Sequence, residues 1–193
     1  EYAKGKSKAV IIGGGVLGLE AADALQELGL QITVIEAAPR IMPRQLEESA
    51  SAFMQNILAT KNINLITEAS AQEIVANSNK VTGVKVNNEL IEADLVVISV
   101  GVRANTGLAV SANITVDRGI VVNENMQTSV ADIYACGDVA QFEGISTNLW
   151  APAIEQGKVA GTNAVGDVAT FANQVEPLSL IAFDTEMFSV GTY

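Results

Sequence analysis

A chain of 193 residues, 49% of them hydrophobic, can bury a substantial core, and a net charge of −11 from 11 Lys and Arg against 22 Asp and Glu argues against nucleic acid, whose binding is driven by cations that neutralise phosphates. The absence of histidine and the single cysteine, Cys136, exclude an internal disulfide and any Ser-His-Asp or Cys-His catalytic constellation within the chain. The longest apolar runs, such as Leu95 to Val100, fall short of the ~20 residues that span a bilayer and no signal peptide opens the chain, so the expectation is a cytoplasmic protein that does not enter a membrane; Glu1 in place of Met points to a fragment or a processed chain.

Lys4, Lys6 and Lys8 read as a solvated entry to the strand Ala9 to Ile12. That strand runs into Gly13-x-Gly15-x-x-Gly18 and then a helix-forming segment, roughly Val16 to Leu28, which carries Leu17, Ala21, Ala24, Leu25 and Leu28 as an apolar stripe and stops at Gly29. In a strand–turn–helix of this kind the first glycine permits the turn. The second lets a backbone N–H approach a pyrophosphate, and the third lets the helix pack closely on its strand. The phosphate charge then meets unpaired N–H groups and the positive end of the helix dipole. An ordinary glycine-rich turn is the bland alternative. Against it, the next strand, Gln31 to Ile35, ends in Glu36, about 20 positions past the glycines, where an acid accepts the hydroxyl hydrogens of an adenosine ribose. Ala37 and Ala38 follow it without a cation, and Arg40 is the nearby residue that would favour a 2′-phosphate instead.

Pro39 and Pro43 mark a loop, and Leu46, Ala50, Phe53, Met54, Ile57 and Leu58 have the spacing of a second amphipathic helix. Ile63 to Ile66 reads as the next parallel strand. From Ala71 to Ala93 apolar residues alternate between polar turns at Asn77 to Lys80 and at Asn87-Asn88, which predicts an antiparallel meander in place of a crossover helix. Leu95 to Val100 reads as a buried strand ending at Gly101. Beyond Gly119 the reading gives a short strand at Ile120 to Val122 and another from Asp132 that runs into a glycine turn with Asp138 at its tip. A helix entered at Trp150-Ala151-Pro152 follows, reaching Gly166, and the tail from Glu176 suggests one further strand.

Three motifs in this order, Gly13 to Glu20, Ser99-Val-Gly101-Val-Arg103-Ala-Asn105, and Thr128 to Asp138 with its Cys136-Gly137-Asp138 end, resemble the pyridine nucleotide-disulfide oxidoreductase superfamily of flavoproteins. The resemblance is nearest to its branch of rubredoxin and ferredoxin reductases, NADH oxidases and nitrite reductase large subunits. It implies an α/β chain made of a Rossmann-like, three-layer β/β/α NAD-binding domain over residues 1–117, the returning part of an FAD-binding domain over 118–175, and the start of a truncated C-terminal region over 176–193. The chain would then be the middle slice of a larger enzyme.

The same resemblance implies that NADH and FAD are held by Gly13, Gly15, Val16, Leu17, Gly18, Glu20, Glu36, Val100, Gly101, Gly137, Asp138, Trp150 and Ala151. Asp138 would meet the FAD ribitol, the helix at Trp150 would point its N-terminus at the flavin's pyrimidine edge, and Gly101 would lie in the segment crossing between domains. No catalytic side chain and no metal ligand is implied. Hydride would pass from NADH to FAD, and electrons onward to rubredoxin, another iron–sulfur protein, a nitrite-reducing centre or oxygen. A non-catalytic NAD-binding sensor or interaction module is the rival. Glu20 is either a solvated helix residue or a nicotinamide-side contact, Cys136 either a small structural hydrophobe or a redox group, and unpaired sheet edges at Ile120 to Val122 and Ile133 to Ala135 would favour self-association.

Overall fold

The structure is a computed structural model that describes residues 2–175 and 177–191; Glu1 and Glu176, the expected starts of the chain and of its tail, lie outside the described residues. Packing divides the chain into two compact units, Glu1–Val100 with Glu176–Tyr193, and Gly101–Val175.

The first unit begins with β1 (Lys8–Ile12), α1 (Val16–Glu27), β2 (Gln31–Ile35), α2 (Glu48–Thr60) and β3 (Asn64–Ile66). An antiparallel meander of β4 (Ala71–Asn77), β5 (Lys80–Val86) and β6 (Glu89–Glu92) follows, and β7 (Leu95–Ile98) returns to the main sheet. That sheet has the order β3-β2-β1-β7 and is parallel throughout. Because successive side chains leave a strand on opposite faces, Ala9 and Ile11 of β1 enter a core under the helices with Leu19, Met54 and Leu58. Val10 enters a second core on the other face with Val84, Val86 and Ala93 of the meander side. The result is the expected three-layer β/β/α arrangement, with the meander where a crossover helix would otherwise lie.

The face that α1 buries differs from the expected stripe. Gly18, Leu19 and Ala22 are buried, whereas Leu17 is 71% and Leu28 68% exposed. A Cβ on Gly18 would stand 2.0 Å from the Gly13 carbonyl oxygen, so Gly18 has to face its strand, and this requirement rotates Leu17 outward. In α2 the buried residues are Ser51, Met54 and Leu58. Phe53 is exposed, and Leu46, expected on this helix, is buried in the loop before it. Lys8 belongs to β1 and pairs with Glu92 at 2.7 Å, so only the residues before it form the entry. The tail is a hairpin, β10 (Leu178–Ala182) and β11 (Thr185–Ser189), whose Leu180, Ala182 and Phe183 join the helix-side core.

The second unit contains α3 (Gly107–Ser111), β8 (Ile120–Val122), β9 (Ala140–Phe142) and α4 (Trp150–Ala164), with β8 and β9 paired in parallel. Its core gathers Val122, Met126, Ala140, Phe142, Val159, Ala160 and Phe171, with the Phe142 and Phe171 rings edge to face at 5.6 Å. Buried Gln141 accepts the N–H groups of Arg118 and Gly119, each at 3.0 Å, and donates to Asp117 at 2.9 Å. Asp117 therefore packs within this unit, and the break between units falls at Val100 and Gly101. The expected strand from Asp132 is absent: Asp132 takes φ +62, and Tyr134 makes only an isolated bridge to Gln127. Asp138 sits in a 3-10 turn, Gly137–Val139, and Cys136 before it is exposed, which removes its reading as a buried small hydrophobe.

Candidate functional site

The glycine loop between β1 and α1 separates its glycines by cause. Gly13 has φ +110, and a Cβ there would lie 2.1 Å from the Ser99 carbonyl oxygen, so the end of β7 and the start of the Ser99-Val100 segment press against the loop. Gly18 is required by Gly13 itself, as described above. A Cβ on Gly15 would meet nothing within 4 Å, and its φ of −82° and ψ of −178° suit any L-residue. Nothing in the protein calls for a glycine at this position; what it leaves is open space at the N-terminus of α1. That terminus has no side-chain cap and no acidic residue in its first turn, so its N–H groups and dipole are offered to an anion. Val16 and exposed Leu17 form its first turn, and Glu20 follows half-buried.

Glu36 stands directly after β2, half-buried. One carboxylate oxygen accepts the Gly14 N–H at 2.7 Å and the other the Ala38 N–H at 2.8 Å. Each oxygen has lone-pair capacity for one further donor, so the group is held in place and can still receive hydroxyls. Arg40, the nearby cation that would favour a 2′-phosphate, directs its guanidinium to the carbonyls of Pro43 and Leu46 at 3.3 and 3.4 Å. Thus Gly13, Gly15, Gly18, Glu36 and the backbone at Val100 gather around one loop. Gly101, at φ +85, belongs to the other unit.

In that second unit, Asp138, Asn148, Leu149, Trp150, Ala153 and Ile154 line an open cleft of about 450 Å³. Asp138 and Trp150 are exposed. The N-terminus of α4, where Trp150 and Ala151 lie, again lacks a side-chain cap and an acidic first turn. Gln156, buried on α4, accepts the Gly137 N–H at 2.8 Å and so ties the turn bearing Asp138 to the helix. The cleft thus offers an acceptor, an aromatic wall and a positive helix end, a donor set that fits a polar chain attached to a flat ring.

The sequence reading missed Gly14 and Gln156. A third glycine inside the Gly13-to-Gly15 run was visible as a signal for the first. A glutamine in mid-helix gives none, since only burial distinguishes it from a solvated one.

The family model for pyridine nucleotide-disulphide oxidoreductase matches residues 1–162. The chain belongs to this family. It is 41% identical over 188 residues, 96% of its length, to nitrite reductase [NAD(P)H] of Bacillus subtilis, covering 23% of that protein. Identity to the NADH-rubredoxin oxidoreductase of Clostridium acetobutylicum is 36%, over 97% of the chain and 46% of the relative. A solved FAD-dependent pyridine nucleotide-disulphide oxidoreductase from Desulfovibrio vulgaris superposes with a TM-score of 0.90 at 33% identity, over 98% of this chain and 50% of that one. The chain therefore spans half or less of the length of each of these relatives, and its α/β architecture is that of the family's dinucleotide-binding oxidoreductases. Among the described residues no helix is long and apolar enough to cross a membrane.

Proposed function

We propose that the chain is the NADH-binding part of a flavin-dependent oxidoreductase that passes hydride from NADH to FAD and electrons on to an external acceptor. The observation that carries this reading is the pairing of an open Cβ position at Gly15 with a Glu36 carboxylate held beside the same loop. Support also comes from relatives whose names include NAD(P)H nitrite reductase and NADH-rubredoxin oxidoreductase. In this reading the first unit serves the nicotinamide nucleotide and the second unit the flavin. Bound nicotinamide supplies a hydride and bound flavin accepts it, so the cofactors carry the chemistry.

The chain's own residues bind and orient. The N–H groups at Gly15, Val16, Leu17 and Gly18 hold the NADH pyrophosphate, Glu36 accepts the ribose hydroxyls, and Glu20 and the Val100-Gly101 segment lie toward the nicotinamide. Asp138, presented by the turn at Gly137, accepts the hydroxyls of the flavin's ribitol, and the α4 terminus at Trp150 and Ala151 offers its N–H groups to negative charge. The test has two stages. The 193-residue chain should bind NADH in titration calorimetry, and the whole protein that carries it should lose its flavin absorbance on anaerobic mixing with NADH. NADH binding by a whole protein without flavin would favour the sensor module instead.

A further inference from the structure

We infer that Gly14 is a specificity-positioning residue, which lends its N–H to Glu36 and leaves out a Cβ so that the carboxylate is fixed to select a free ribose 2′-hydroxyl over a 2′-phosphate. The inference rests on the NADH-binding reading above and extends it to a residue outside the three motif glycines. Three observations converge on Gly14. Its N–H donates to Glu36 at 2.7 Å and is therefore unavailable to a pyrophosphate. Its carbonyl accepts the Met42 N–H at 3.1 Å, and Met42 is a buried residue held at φ +48, so one glycine ties the phosphate loop, the acid and the loop after it together. Its own φ is not among the positive ones, so the need for glycine here comes from space. An added Cβ would lie 2.9 Å from Ile41 Cγ2 and 3.3 Å from both Cβ and an oxygen of Glu36. Ile41 is fully buried and has nowhere to retreat, so the displacement falls on Glu36. A glutamate released from this contact regains side-chain torsional freedom and presents its charge to the 2′ position only part of the time.

The test is titration calorimetry of the 193-residue chain with NADH and with NADPH, applied to the parent, Gly14→Ala, Glu36→Ala and the double variant. Gly14→Ala should lower the preference for NADH at least fivefold, with a melting temperature close to the parent's. The double variant should match Glu36→Ala within twofold, because the two residues act as a unit. Gly14→Ala paired with Ile41→Leu, which removes the clashing methyl and with it the push on Glu36, should fold like the parent and recover most of the preference for NADH; a loss of preference that persists in this pair would overturn the inference. Equal weakening toward both nucleotides, or effects of Gly14→Ala and Glu36→Ala that multiply independently, would overturn the inference while leaving NADH binding intact. A parent chain that binds neither nucleotide would instead overturn the functional reading on which the inference stands.

Discussion

Gly18, in the first turn of α1, and Gly15, at its N-cap, lie three residues apart and meet opposite surroundings: a side chain on Gly18 would collide with the Gly13 carbonyl at 2.0 Å, while one on Gly15 would enter open space. Their substitutions should therefore separate folding from binding. Gly18→Ala forces α1 off its strand and should cost roughly 1–3 kcal/mol of stability. Gly15→Val, at a backbone conformation open to L-residues, should leave the thermal transition within a few degrees of the parent and abolish nucleotide binding. Calorimetric melting and NADH titration of the two variants check both halves.

The chain should prefer NADH to NADPH. Glu36 accepts hydroxyl hydrogens but repels a 2′-phosphate, and Arg40 holds its own loop through the Pro43 and Leu46 carbonyls. Loss of a ribose hydrogen bond together with like-charge repulsion is worth roughly 2–4 kcal/mol, or tens- to several hundred-fold in affinity. Equal dissociation constants for the two nucleotides would contradict this.

Asp94 should make the first unit sensitive to acid. Its carboxylate accepts the N–H of Lys8 at 3.1 Å and the N–H and hydroxyl of Ser7 at 3.1 and 3.2 Å, joining the start of β7 to the start of β1. Burial pushes the carboxyl up, but the Lys8 and Ser7 backbone N–H groups, the Ser7 hydroxyl and the nearby Lys6 charge outweigh it and hold it below the usual carboxylate range. A group with a lowered folded pKa contributes stability that is complete above its unfolded value, about 4, and is lost as pH falls through the folded one. Asp94→Ala should cost ~1–2 kcal/mol at pH 7, and the urea midpoints of parent and variant should draw together as pH falls below the usual carboxylate range.

The isolated 193-residue chain should be colourless. Its second unit offers Asp138, the Gly137 turn and the α4 terminus, which address a ribitol and a ring, while the glycine cradle of the first unit is assigned to NADH. Without two or three charge-assisted hydrogen bonds to the flavin diphosphate, at ~1.5–3 kcal/mol each, binding weakens by several orders of magnitude. Stoichiometric FAD with a flavin spectrum in the purified chain would refute the assignment.

What could be read from the sequence was what local chemistry determines. The strand–glycine–helix unit, the acid after β2 and the meander of β4 to β6 all follow from spacing within about twenty residues, and they stand where the pattern put them. The misses came from tertiary demands. Five apolar residues suggested one face for α1, yet the contact between Gly18 and Gly13 set another. The run from Asp132 to Asp138 has strand-like composition, but a positive φ at Asp132 and a pairing with the Met126–Thr128 segment reduced to one isolated bridge, Tyr134 to Gln127, leave it irregular. Gln156 was invisible because its role depends on an N–H at Gly137, 19 residues away.

The hairpin of β10 and β11 carries one more consequence, for the order in which the molecule forms. Leu180 and Phe183 fill the same core as Leu19 and Met54, and Lys61 meets Asp184 across 123 positions of chain. On the ribosome the first unit must wait, its apolar helix side still open to chaperones and proteases, until the whole of the second unit has been synthesised and the hairpin emerges to seal it. By the same logic, a single protease cut anywhere between Gly101 and Val175 would leave the first unit as two peptides held together only by that shared core.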